Sequence, residues 1–343
     1  MFESENSIGK DQRAIVQRVL ERFKKVTTSG LSNPEVLSIM GYVKEYWKEP
    51  HRPALISLSC EAVGGSLTTV EDAGLVMSLI VAGMAIHDDI MDKSINKHFK
   101  PKKTIYGLHG SDNALLAGDL LLLKGLLTAF EVFRDRIPEE KYLNIIEILK
   151  KFIFEMYEGE FMEVHGRKNL DIDVNYQREY LWKFTSDAEA CARIGAILGD
   201  GKDEEVEALA EFARLFALNV FLREELKDSF NLENNLIHRL TYESLPLTVL
   251  YSAKNSKHVF KEIKSIVGKS RITKNDAIKL ICYGYETEAY EYIYSIVHEN
   301  TKKGKQKIAV LSPSSAKKEL ELMINKSLTE IEGIRKDTTP HHH

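Results

Sequence analysis

The chain has 343 residues, 43% of them hydrophobic and 29% charged, with a formal net charge of −4. That length can bury a large core, and the slightly acidic balance lacks the basic footprint expected of a nucleic-acid or anionic-membrane partner. The three cysteines, Cys60, Cys191 and Cys282, are far apart, show no metal-type spacing and read as reduced core residues of a cytoplasmic protein.

The N-terminal stretch MFESENSIGKDQ is polar and acidic and does not have the pattern of a signal peptide. Strand-type alternation is scarce, and segments of helical period follow one another instead. Asp11–Lys25 reads as an amphipathic helix, and Asn33–Trp47 opens on an Asn-Pro start signal. Arg52–Ala62 is apolar and stops before Gly64-Gly65. Thr69 is the expected cap of an apolar helix ending at Asp92. Asn113–Phe133 reads as a second buried helix, broken in polarity only by Asp119, taken as a satisfied buried acid, and Lys124. Glu139–Val164 and Tyr176–Leu198 read as long amphipathic helices, with Glu160 and Glu163 on an ordinary surface. Glu204–Phe230 turns from apolar to charged at Arg223. Shorter helices are expected from 236 to 333, with loops at Gly268, Gly284 and Gly304 and a cap at Ser312-Pro313-Ser314-Ser315. No linker or repeat interrupts this series, so a single all-α domain over residues 1–340 is expected. His341–His343 read as a tag remnant.

Two stretches carry chemistry. From Ala73 to Ile86 only Ser78 is polar, so a helix there is apolar all round and buried. It is too short, and too closely followed by charge, to promise stable membrane insertion. His87, Asp88, Asp89 and Asp92 close it. Asp88 and Asp92 share a helical face, with Asp89 beside them. Three carboxylates at the end of an apolar helix repel one another and resist desolvation unless cations hold them. Oxygen donors with room for water and phosphate suit Mg2+. His87 has two readings, one as a group orienting a metal ligand and one as a packed or capping histidine. Glu224, Glu225 and Asp228 repeat the spacing after the apolar run 215–221. Facing each other in a bundle, the two triplets could clamp several Mg2+ ions around a diphosphate, with an apolar cavity below for a hydrocarbon tail.

The motif IHDDIMDKS, with its flanks, resembles the first aspartate-rich motif of the trans-isoprenyl diphosphate synthases, or polyprenyl synthetases. Arg52-Pro53 with EAVGG, the segment LLAGDLL, Lys183 and Thr185 before ACARIGAILG, and the tail LSPSSAKKELELMINKSL resemble further elements of that family. Arg223–Asp228 stands in place of its second aspartate-rich motif. The resemblance implies an isoprenoid-synthase-type helical bundle around a central apolar cavity, usually a homodimer. It implies Mg2+ (two or three ions) on Asp88, Asp92, Glu224, Glu225 and Asp228, catalysis through Asp88, Asp89, Asp92 and Lys183, and diphosphate contact at Thr185. The implied reaction condenses isopentenyl diphosphate with an allylic prenyl diphosphate. Gly83 and Met84 fall where the family sets product length; the glycine implies an open channel, Met84 could partly close it, and the expected product is of geranylgeranyl length or longer.

The chain departs from the family mainly at the acceptor side. Residues 47–53 read Trp-Lys-Glu-Pro-His-Arg-Pro, leaving Arg52 on a diphosphate-binding position and Glu49 where the family has Lys; Lys48 and His51 are the candidate substitutes. Val81 stands where a histidine is common. The paired arginines after the first motif are replaced by a Lys-rich loop, 96–104, in which Lys97, His98 and Lys100 are the candidate phosphate contacts. Lysine keeps the charge but not the bidentate fork. Phe221 replaces a usual glutamine. These departures leave two alternatives beside the elongating enzyme. One is a non-catalytic or weakly active subunit of a heteromer with a paralogue; the other is a class I terpene cyclase, which needs no acceptor.

Overall fold

A computed structural model describes residues 10–96, 102–231 and 235–338. Among the described residues the secondary structure is fifteen α-helices and a 3-10 turn, with two isolated bridges, Asn96 to Lys103 and Arg167 to Ser244, and no strand. The all-α expectation holds. Backbone packing divides the fold into two compact units.

The first unit comprises the described residues of Met1–Lys151 together with Asp187–Ala210 and Val310–Glu319. It contains α1 (Lys10–Thr28), α2 (Pro34–Tyr46), α3 (His51–Ala62), α4 (Val70–Met91) and α5 (Ile105–Phe133). The stripe Ile15, Val16, Val19 and Phe23 seats α1. Asn33 caps α2 by accepting the amides of Glu35 and Val36, and Pro34 occupies the first turn, where its missing N–H costs nothing. α4 has the length and hydropathy of a membrane span, yet it is the core helix here, packed by α1, α3 and α5. Buried Asp72 near its start is met by Arg22 at 2.6 Å and Arg136 at 3.2 Å.

Glycines set the closeness of α4 and α5. A Cβ on Gly83 would lie 2.6 Å from the Gly118 carbonyl oxygen, and one on Gly125 would lie 2.6 Å from Ile80. Lys124 donates to the carbonyls of Val26 and Ser29 at 3.1 and 2.6 Å, satisfying the C-terminal end of α1. Only one face of α5 is buried, contrary to the expectation of a buried helix. Leu116, Leu123, Leu127 and Phe130 are exposed, and so is Asp119, whose side chain is 55% accessible. Leucine content could not reveal this, because every face of the helix is apolar. α5 also begins eight residues before Asn113, across a kink where Gly110 takes φ 79°.

α6 (Glu139–Gly166) precedes the segment read as one helix over Tyr176–Leu198. That segment is two helices, α7 (Val174–Phe184) and α8 (Ser186–Leu198). The break falls at Thr185, whose hydroxyl donates to the Trp182 carbonyl at 2.6 Å while its amide bonds the same carbonyl.

The second unit comprises Phe152–Ser186, Glu211–Ala309 and the described residues from Leu320 onward. Its helices include α7, most of α9 (Asp203–Phe230), α10 (Asn235–Tyr242), α11 (Leu247–Asn255), α12 (Lys257–Val267), α13 (Lys274–Glu286), α14 (Ala289–Lys307) and most of α15 (Ser315–Thr338). Leu236, Val249, Ile263 and Leu280 anchor one apolar cluster, and Leu181, Leu222, Ile293 and Ile331 a second. Ser314 accepts the Lys317 amide at 3.1 Å, as its cap position predicts. Cys60 and Cys191 are buried, and burial pushes the Cys60 thiol up to about 11. Cys282, expected in the core, is exposed on α13.

Candidate active site

The first acidic helix end closes α4. Asp88 and Asp92 are half-buried and Asp89 is buried. Asp92 is the helix C-cap, its amide bonded to the Asp88 carbonyl at 2.9 Å. Lys93 then takes the left-handed conformation, φ 57°, and ends the helix. The C-terminal end of a helix carries the negative pole of its dipole, so three carboxylates there add to an unfavourable field. A cation relieves both terms. Met84, one turn before Asp88, is half-buried on the same face, whereas Gly83 faces α5. Val81 is 7% exposed and belongs to the core.

His87 is tied to α5. Its Nε2 lies 3.2 Å from the Asp119 carboxylate and 3.3 Å from the Leu115 carbonyl, and its ring fills the space over Gly118. Of its two readings, the geometry favours the packed one. Asp119 is an exposed partner of a histidine rather than a buried acid. After α4 the chain returns through Thr104, whose hydroxyl donates to the Ser94 carbonyl at 2.6 Å and accepts the Gly107 amide at 2.8 Å. Lys97, His98 and Lys100 lie outside the described residues.

The start of α3 holds the expected acceptor residues. Lys48 is exposed. Glu49 accepts the backbone amide of His51 at 2.7 Å, and its carboxylate stands 3.7 Å from the His51 ring and 3.3 Å from Arg52. Arg52 also donates Nε and Nη2 to one oxygen of Asp187, on α8, at 2.9 and 2.5 Å. Burial opposes the Arg52 charge, but the Coulombic pull of Glu49 and Asp187 outweighs it and raises the guanidinium above its ordinary value. Arg52 is thus neutralised by its own chain. Nothing in local sequence pattern marked Asp187, which lies 135 residues from its partner.

The second acidic helix end closes α9, and its three carboxylates have different surroundings. Glu224 is the most open, with a side chain 35% accessible, and it is engaged by Arg223 at 2.6 Å and Lys227 at 3.5 Å. Glu225, expected among the metal ligands, is buried and paired with Arg239 of α10 at 2.9 Å. Burial raises its carboxyl above the usual range while Arg239 opposes the shift. Asp228 accepts from Asn235 at 2.7 Å and stands 3.8 Å from Arg239. The one-residue offset turns Glu225 by about 100° from Glu224, which explains why two adjacent acids differ. Arg239 escaped the sequence reading because a charged residue in a short helix has no signal of its own.

Lys183 lies near the end of α7, with Nζ 2.9 Å from Glu158. Thr185, expected at a diphosphate, is fully buried, and its hydroxyl is spent on the helix break. Phe221 packs against Phe184, ring centroids 6.1 Å apart, so an aromatic pair occupies that level of the unit. Glu163, read as surface, is buried; it pairs with Arg167 at 3.1 Å and accepts the Ser244 amide.

No cluster of three histidine, cysteine or carboxylate side chains stands ready for a metal among the described residues. The available donors are hard oxygens, and Asp88, Asp92, Glu224 and Asp228 are all at least partly accessible. Each of these helix ends fits Mg2+, which keeps several waters and takes one or two carboxylates plus substrate phosphates rather than an all-protein cage.

A family model described as Polyprenyl synthetase matches residues 39–279. The geranylgeranyl diphosphate synthase of Methanosarcina mazei is 28% identical over 264 residues, covering 76% of this chain and 79% of that protein. The short chain isoprenyl diphosphate synthase of Methanothermobacter thermautotrophicus is 26% identical over 285 residues, covering 79% and 83%. Among solved structures, geranylgeranyl pyrophosphate synthetase from Pyrococcus horikoshii superposes with a TM-score of 0.80 at 22% identity, over 93% of this chain and 99% of that one. A decaprenyl diphosphate synthase from Rhodobacter capsulatus gives 0.81 at 16% identity, over 94% and 96%. At those identities the superpositions establish the fold.

Proposed function

The chain belongs to the polyprenyl synthetase family and is a prenyl-transferring transferase, and from that premise we propose that it condenses isopentenyl diphosphate with an allylic prenyl diphosphate, in the presence of Mg2+, to give an all-trans product of geranylgeranyl length or longer. The observation that carries this reading is the pair Asp88 and Asp92, half-buried on one face at the negative end of an apolar core helix. Mg2+, when bound, supplies neutralising charge to the departing diphosphate. Asp88 and Asp92 at the end of α4 are residues we assign to hold it, and Glu224 and Asp228 at the end of α9 are assigned the same role on the family resemblance. Lys183 adds positive charge for the allylic diphosphate. Met84 and its apolar neighbours on α4 exclude water from the allylic cation, where electrostatic terms are largest. The released diphosphate takes the proton, so no side chain is assigned as general base.

One observation favours a second reading. Arg52, the one basic group on an expected acceptor position, is held by Glu49 and Asp187. A chain that binds isopentenyl diphosphate weakly suits the role of partner subunit. The exposed apolar stripe of α5 supports assembly with a second copy or a paralogue. Unpaired cysteines accord with a cytoplasmic setting.

The test is extension of dimethylallyl, geranyl, farnesyl and geranylgeranyl diphosphates with labelled isopentenyl diphosphate, with Mg2+ and with chelator. Mg2+-dependent extension is expected. Asp88→Ala and Asp92→Ala should each lose about a thousandfold in rate, a deficit of roughly 4 kcal/mol in transition-state stabilisation. Glu225→Ala should lose less. No extension by a chain that still binds allylic diphosphate would move the assignment to the partner subunit, and hydrocarbon release from one prenyl diphosphate would move it to a cyclase.

A further inference from the structure

The second acidic helix end is wired to the C-terminal helix. Arg223 is the largest of the fully buried side chains, 2% exposed. A buried guanidinium is tolerated only when its donors are met by carboxylates or carbonyls. Here Nε and Nη2 both donate to Oε1 of Glu224, at 2.7 and 2.6 Å, and Nη1 donates to Glu330 on α15. Lys227 stands 3.5 Å from the same Glu224 oxygen, and Lys326 stands 3.5 Å from the other oxygen of Glu330. Charges therefore alternate from the acidic motif to the C-terminal helix in the order Lys227, Glu224, Arg223, Glu330, Lys326.

Glu224 differs from its neighbours in one respect that matters for a metal. It is the most accessible carboxylate of its triplet. Like Glu225, it already has one oxygen engaged by a cation of its own chain. A divalent ion arriving at Glu224 competes with Arg223 for that carboxylate. Glu330 draws part of the guanidinium charge to the far side and gives it a second acceptor. With Glu330 neutral, Arg223 would keep the charged Glu224 and would hold it more firmly.

We propose that Glu330, acting through Arg223, is a positioning residue that frees and aims the Glu224 carboxylate for divalent-cation binding. The proposal rests on the assignment of Glu224 as a metal ligand. It makes α15 part of the cation site without touching the ion. The competing account is a buried ion pair that merely staples α15 to α9.

The experiment uses the full chain with inorganic diphosphate and Mn2+ as a paramagnetic substitute for Mg2+, reading free Mn2+ by its EPR signal. Thermal unfolding in chelator is measured in parallel. Glu330→Gln is expected to raise the half-saturating Mn2+ about tenfold, in the range of outer-shell substitutions at metal sites. Glu330→Asp, which keeps the charge, should recover much of that loss. Lys326→Gln, at a half-exposed position, removes a competitor for Glu330 and should lower the midpoint roughly twofold, the scale of an exposed pair. A Glu330→Gln chain that melts earlier but keeps the wild-type Mn2+ midpoint would overturn the proposal and leave only the staple. Glu224→Gln is the control on the premise. If that substitution leaves Mn2+ binding unchanged, Glu224 is not a ligand and the proposal falls with it. Should Glu330→Gln fail to fold, Glu330→Asp and Lys326→Gln still decide the question by moving the midpoint in opposite directions or not at all.

Discussion

Arg52 and Asp187 form a bidentate contact onto a single carboxylate oxygen, Nε at 2.9 Å and Nη2 at 2.5 Å, with the Asp187 side chain only 3% accessible. A residue expected to meet a substrate diphosphate instead joins α3 to α8 inside one unit. Its donors are committed, and any anion seeking them must first displace Asp187.

Removing Asp187 leaves a largely buried guanidinium with Glu49 alone. Asp187→Ala is expected to lower stability by about 3 kcal/mol, the scale for breaking one side of a buried pair. The urea midpoint should fall with the slope unchanged. Asp187→Asn should cost less, because its amide oxygen still accepts. The same Asp187→Ala substitution should lower the KM for isopentenyl diphosphate, since Arg52 regains a fork of donors. A KM that stays at the wild-type value would show that Arg52 is purely structural.

The parts of this molecule that were legible in sequence are those governed by local period. The apolar run 73–86 names α4 and its burial, and the DDxxD spacing places Asp88 and Asp92 on one face. What escaped is long-range. Asp187, Arg239 and Glu330 acquire their roles from partners 135, 14 and 107 residues away, and a charge in isolation does not announce its partner. The break at Thr185 was not legible because the amphipathic period runs straight through it, and it shows only in the backbone, where the Thr185 amide reaches the carbonyl three residues back. The exposed face of α5 was hidden by its own composition, since leucine on all sides leaves no polar stripe to mark the surface.

Local electrostatics also set a pH dependence. Asp276, in the first turn of α13, accepts the Lys269 ammonium at 2.5 Å and the Thr273 amide and hydroxyl at 2.9 and 2.7 Å, in a capping box. The Lys269 contact first, then the Thr273 bonds, lower its carboxyl from an ordinary 3.8 to about 2. The folded value lies below the unfolded one, so this group stabilises the fold above about pH 4 and that contribution is lost as pH falls toward 2. Lys269 is 44% accessible, so screening trims the effect to about 1 kcal/mol. Asp276→Asn should cost that amount at neutral pH. The cost should vanish in acid, and an equal cost at pH 2 and pH 7 would refute the charge-based account.

Product length separates two adjacent residues. Gly83 is packed against Gly118, where an added Cβ meets a backbone oxygen at 2.6 Å and the Leu122 amide nitrogen at 3.0 Å. Neither atom is the end of a flexible side chain, so α4 and α5 must part. Gly83→Ala is therefore expected to lower stability by about 2 kcal/mol through overpacking, with little change in the product. Met84 shares its face with Asp88 and is half-buried. Shortening it to alanine removes three heavy atoms from the path of a growing chain extending from the diphosphate site. Met84→Ala is expected to lengthen the product by at least one isoprene unit at unchanged stability, read by chromatography of the dephosphorylated alcohols beside a denaturant melt. If Gly83→Ala instead shortens the product while the melt stays in place, the glycine faces the chain rather than α5, and the packing argument for the α4–α5 glycines fails.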